Sequence, residues 1–115
     1  MPDPNSNPID AATFAALKDM AGAEFADELV DTFFEEAPRM LGDLREALPA
    51  GDADCFRRAA HSLKSNSMTF GALKLGAMAR ALELGGIDDA TGAALTALDA
   101  EYARVVDALE ALRHG

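Results

Sequence analysis

The chain has 115 residues, half of them apolar, which is enough for one domain with a single core and too short for two. A formal net charge of −10 repels nucleic acid and anionic membrane alike and argues against both as partners for the molecule as a whole. The single cysteine, Cys55, has no partner for an internal disulfide. The opening MPDPNSNP is no secretory signal, and no apolar run reaches the roughly 18 residues of a spanning helix, so a soluble chain in a reducing cytoplasm is expected. The apolar residues are mostly Ala and Leu, with no Trp, the composition of packed helices.

In chain order, residues 1–8 hold three prolines and small polar residues and are expected to be a disordered leader to a single domain over 9–114. Asp10 suits an N-cap, followed by a short amphipathic helix over 11–20 with Phe14 and Leu17 inward and Gly22 at its end. Over 23–48, Phe25, Leu29, Phe33, Ala37, Leu41 and Leu44 recur at spacings of three and four, the stripe of a long amphipathic helix. Pro38 lies in its middle and predicts a kink or a break into two helices. Pro49, Gly51 and Asp52 supply a turn and a cap. A third helix over 53–70 turns Phe56, Ala59, Ala60, Leu63, Ser67 and Phe70 inward, and Gly71 ends it. A fourth over 72–84 buries Leu75, Met78, Ala79 and Leu82 before Gly85 and Gly86. The last follows Asp88 and Asp89 with the clearest periodicity, Leu95, Leu98, Tyr102, Val105, Leu109 and Leu112. Short connections make neighbours antiparallel, so the fold class is all-α: an up-down four-helix bundle with a short additional N-terminal helix.

Charge is unevenly spread. Between Cys55 and Arg80 lie Arg57, Arg58, Lys64, Lys74 and Arg80 with no Asp or Glu, a basic island in an acidic chain. His61 lies in this island and points about 140° from the inward stripe of its helix, toward solvent. Arg57, Lys64, Ser65 and Met68 share its flank at helical spacing, and no acid is expected near enough to the ring to repel an incoming phosphate, so that a ring pinned by a carboxylate would count against the role. A free imidazole titrates near 6.5 and at neutral pH offers one ring nitrogen as a nucleophile. Phosphoryl transfer asks mainly for positioning and positive charge, which Lys64 and Arg57 can supply, while a small Ser65 leaves room for a partner's active site.

The stretch Ala60-His61-Ser62-Leu63-Lys64-Ser65-Asn66-Ser67-Met68-Thr69-Phe70-Gly71-Ala72 resembles the signature of histidine phosphotransfer domains: Ala-His, then Leu-Lys, small residues and a Gly-Ala turn. Phe33-Phe34-Glu35-Glu36-Ala37-Pro38 is similar to the family's second helix, Pro38 included, and 98–112 to its last, so the likeness spans roughly 9–113. The resemblance implies a phosphorelay intermediate. His61 would accept a phosphoryl group from the aspartyl phosphate of a response-regulator receiver domain and pass it to another receiver aspartate. Lys64 would be the cation near the phosphate, Ser65 the small residue under the docking receiver where the family usually has Gly, and Gly71 the end of the exposed helix. The receiver would bring Mg²⁺, and the chain would need no cofactor of its own. A hybrid histidine kinase would stand upstream.

The other candidates receive plainer roles. Met68 faces outward as an adaptable apolar contact, and Arg58 shapes the docking field or keeps the surface soluble. Cys55 is a partly buried packing residue without a resolving thiol. His114, near the C-terminus, has no expected role, and two distant histidines without a cysteine or carboxylate cluster make no metal site. Ser67 is expected to return its hydroxyl to a carbonyl one turn back. No glycine-rich nucleotide loop is present, which argues against an autophosphorylating kinase, whereas a receiver-binding module that works without phosphorylation is compatible with the same residues. Met1 and the short leader suggest a free-standing protein, and a bundle that buries its own stripes suggests a monomer.

Overall fold

The computed structural model describes residues 7–114, with the side chain of His114 and most of the expected leader outside the described set. Five helices follow one another: α1 (Ala11–Ala21), α2 (Ala23–Ala50), α3 (Ala53–Thr69), α4 (Leu73–Asp89) and α5 (Gly92–His114), with no strand among the described residues. Within this all-helical fold, α3 packs on α2 and α4, α5 packs on α2 and α4, and α1 lies against α2 and α3.

The local rules account for the ends of these helices. Gly51 closes α2 in the left-handed region, φ 69°, and Asp52 then caps α3 by accepting from the Cys55 backbone N–H at 3.1 Å. Gly86, φ 72°, interrupts α4 where a turn was expected, and the few residues after it return to helix before α5 begins. Asp10 precedes α1 as anticipated, yet its carboxylate accepts from the Thr13 hydroxyl and caps no backbone N–H. Pro38 does not break α2, which passes through it as one helix, with the proline ring on the exposed side.

The core forms where the stripes meet. Phe33 of α2 packs on Phe70 at 5.1 Å between ring centroids and on Tyr102 of α5 at 5.8 Å. The α2 stripe is rotated slightly from its expected position: Ala26 and Val30 are buried, Leu29 only partly, and Phe25 is 52 % exposed. Two arginines tie α2 to α5 at the surface, Arg45 gripping Asp99 through two bonds of 2.7 and 2.8 Å and Arg113 reaching Asp27 and Asp31.

The turn between α3 and α4 is fastened by the segment before α1. Ile9 is fully buried, and the Asp10 N–H donates to the Gly71 carbonyl at 2.7 Å. Gly71 has φ 81°, and a Cβ there would lie 2.8 Å from the Asp10 carbonyl oxygen and 2.9 Å from the Thr13 Cβ. Conformation and space both exclude a side chain. Ser67 departs from expectation, since its hydroxyl is buried and makes no hydrogen bond. An unsatisfied buried hydroxyl costs about 1–3 kcal/mol.

Two stability measurements follow from these positions. Gly71→Ala is expected to lower the free energy of unfolding in urea by about 1–3 kcal/mol, and an unchanged value would contradict the close approach to Asp10. Ser67→Ala is expected to leave stability unchanged or to raise it by up to about 1 kcal/mol, whereas a comparable loss would reveal a partner for the hydroxyl.

Candidate functional site

The inward stripe of α3 sets the rotation of that helix. Phe56, Ala59, Ala60, Leu63 and Ser67 are buried, which turns His61 to the opposite side, where its side chain is 55 % exposed. Because α3 and α4 form a hairpin, residues equidistant from Ala72 face each other across the seam. His61 and Glu83 are such a pair, eleven residues either side of the turn, and Met68 and Gly76 another, four residues either side.

The Glu83 carboxylate bridges two groups of α3. Its Oε2 lies 2.6 Å from His61 Nδ1, and its Oε1 accepts from Lys64 Nζ at 3.1 Å. A carboxylate only accepts, so the proton of this short contact belongs on Nδ1, which leaves the Nε2 lone pair free whenever the ring is neutral. Nε2 has no hydrogen-bond partner among the described residues. Hydrogen bonding from His61, and then from Lys64, holds the Glu83 carboxyl below the usual carboxylate range.

An acid therefore stands beside the histidine and holds its ring, which corrects the expectation that no acid lies near it and is the kind of contact expected to count against phosphoryl transfer. Its grip falls on Nδ1 and leaves Nε2 without a hydrogen-bond partner among the described residues. Glu83 was invisible to a reading along α3 because it lies on the next helix. The signal that could have found it is the hairpin register: a turn centred on Ala72 assigns position 83 to position 61.

The basic island is also largely compensated by the fold. Arg57 pairs with Asp54 at 2.9 Å and Arg58 with the same carboxylate at 3.2 Å, so Arg57 sits one turn from the imidazole with its charge shared. Lys74 lies 3.8 Å from the buried Glu101, an acid on the α5 stripe that the periodicity did not single out. Arg80 makes no ion pair among the described residues. Ser65 is exposed and small, and its carbonyl accepts from the Thr69 hydroxyl. Met68 is 47 % exposed two turns from His61, Phe70 belongs to the core, and Cys55 is partly buried. Gly71 ends the helix beyond Met68, whereas Pro38 lies on α2.

Among the described residues no three His, Cys, Asp or Glu side chains gather as a metal site, and no helix is long and apolar enough to cross a membrane.

The site is thus an exposed imidazole held through Nδ1, with a lysine one turn away on an α-helical hairpin. Residues 28–114 match the family model of the Hpt domain. The chain belongs to the histidine phosphotransfer family, whose members carry phosphoryl groups in phosphorelays and interact with the receiver domains of response regulators. No curated protein and no solved structure gives a match to the chain.

The Glu83 contact makes two measurable statements. Nitrogen NMR of the imidazole should show the neutral ring of the wild type protonated at Nδ1, and Glu83→Gln should admit the other tautomer; an Nε2–H ring in the wild type would contradict the assignment. Because the folded carboxyl is held low, its contribution to stability is present above the ordinary carboxylate range and lost as the pH falls through the lowered folded value. The stability difference between wild type and Glu83→Gln should therefore narrow on acidification, and a difference that widened there would contradict the bridge.

Proposed function

We propose that this protein is a phosphorelay intermediate in which His61 Nε2 accepts a phosphoryl group from a receiver aspartyl phosphate and donates it to the aspartate of another receiver. The observation that carries the proposal is the half-exposed ring fastened at Nδ1 by Glu83, with no hydrogen-bond partner on Nε2 among the described residues. In the accepting step the Nε2 lone pair forms a bond to phosphorus, and the bond from phosphorus to the aspartyl oxygen breaks with its electrons leaving on the carboxylate. The Nδ1 proton stays in place, so the phosphorylated ring is an imidazolium whose charge is stabilised by Glu83. The donating step is the reverse with a second aspartate.

Lys64 has a role in this scheme that Glu83 controls. In the resting protein its ammonium is held by Glu83 Oε1, on the same flank as the ring. A phosphoryl group on Nε2 brings oxygens that compete for that ammonium, so Lys64 neutralises phosphate charge as it develops. Arg57 and Arg58, shared with Asp54, contribute a weaker field, and with Ser65 and Met68 they form the surface on which the receiver sits. Mg²⁺ is proposed to come from the receiver, because the one carboxylate beside His61 is already engaged by two cationic or donating groups. The same proposal takes the four long helices as an antiparallel up-down bundle, the molecule as a cytoplasmic monomer, and a hybrid histidine kinase as the source of the phosphoryl group.

Transfer from labelled receivers tests the assignment. Wild-type protein should stay unlabelled with ATP and Mg²⁺ alone and acquire label when a phosphorylated receiver is added. His61→Gln should acquire none, and Glu83→Gln should accept about 10- to 100-fold more slowly, the cost of a lost charge-assisted hydrogen bond. Labelling of His61→Gln would move the site elsewhere. Pathway output that survives that substitution would favour a module that only binds.

A further inference from the structure

The second contact of the α3–α4 seam, Met68 against Gly76, has no part in the chemistry of the ring. Gly76 is buried in the body of α4, where the backbone asks for no glycine: it is helical, and its φ is not positive. Alanine in a helix is favoured over glycine by about 1 kcal/mol, so the absence of a side chain carries a cost in stability. What a Cβ would meet identifies the reason. It would lie 2.7 Å from Met68 Sδ and 3.2 Å from Met68 Cγ, yet 3.7 Å from the Lys64 carbonyl oxygen. The last distance is ordinary contact, so the two backbones already leave room for a methyl group, and only the Met68 side chain obstructs it.

We propose that Gly76 is a notch that seats the Met68 thioether across the seam and so presents it in one fixed pose to the docking receiver, making Gly76 a positioning residue for partner recognition. Two features support this. Met68 stays 47 % exposed although its sulfur is lodged against α4, so the seating orders a side chain that solvent and partners reach. Met68 also lies on the flank of His61, two turns along α3, within the surface that a partner approaching the ring must cover. An unbranched thioether otherwise samples many rotamers, and ordering one on association costs affinity. The notch meets that cost in the free protein. This rests on the relay proposal for the identity of the partner, whereas the seating of Met68 stands independently of it.

Gly76→Ala tests the proposal, since the methyl group displaces Met68 without requiring the helices to separate. The probe is the receiver that transfers fastest to the wild type. Its KM is expected to rise about 2- to 10-fold, the ordering cost of one such side chain, with little change in kcat. Phosphorylation by phosphoramidate, a small donor with no docking surface, should be unchanged, and thermal stability should be equal or higher. In a Met68→Ala background, where nothing remains to displace, adding Gly76→Ala should leave KM where Met68→Ala alone puts it. An unaltered KM in Gly76→Ala would overturn the proposal, as would a slower reaction with phosphoramidate or an increase that persists without Met68. Proton NMR tests the seating with no receiver present: cross-peaks between the Met68 γ- or ε-protons and the Gly76 α-protons are expected, and their absence overturns the proposal. Failure of the relay proposal is distinguished by a wild type that no receiver phosphorylates.

Discussion

The Glu83 carboxylate holds His61 Nδ1 with one oxygen and the Lys64 ammonium with the other, joining α4 to two successive turns of α3. Everything the proposed relay asks of the site passes through that bridge. It settles which ring nitrogen bears the proton, supplies the negative charge that stabilises an imidazolium once phosphorus is bound, and keeps the lysine beside the ring in the resting state. An exposed histidine without the bridge would rotate freely and divide its time between two tautomers, and only one of them keeps the Nε2 lone pair available.

The rest of the fold serves the α3–α4 register. Eleven residues separate His61 from the centre of the turn, and an error of one residue in the turn would rotate Glu83 away by about 100°. The turn is accordingly constrained from three directions: Gly71 takes a left-handed conformation, the Asp10 N–H binds its carbonyl, and Ile9 is buried close by in sequence. Phe70, packed on Phe33, anchors the end of α3 in the core. The short N-terminal segment, which lies outside the matched residues 28–114, thus contributes to the geometry of a site built within them.

Much of this was legible in the sequence where the determining physics is local. Helical periodicity placed the stripes of α3 and α5, and the same arithmetic turned His61 outward. The glycines at 51, 71 and 86 stand where the chain takes positive φ. The misses share a different origin. Glu83, Asp54 and Glu101 lie outside the apparent basic island, on another helix or at its edge, and linear sequence gives charges no distances across a tertiary seam. Ser67 has the pattern of a hydroxyl that bonds its own helix, yet the packed interior leaves it without a partner. The one-residue shift from Phe25 to Ala26 in α2 has a similar cause, because which edge of an amphipathic stripe faces inward depends on neighbours that periodicity does not name.

The most direct measurement is to locate the phosphoryl group on the protein after transfer from a receiver, using phosphorus and nitrogen NMR of the imidazole. A ring fastened at Nδ1 by Glu83 requires the phosphorus–nitrogen bond at Nε2 of His61. A phosphoryl group at Nδ1, or on any other residue, would contradict it.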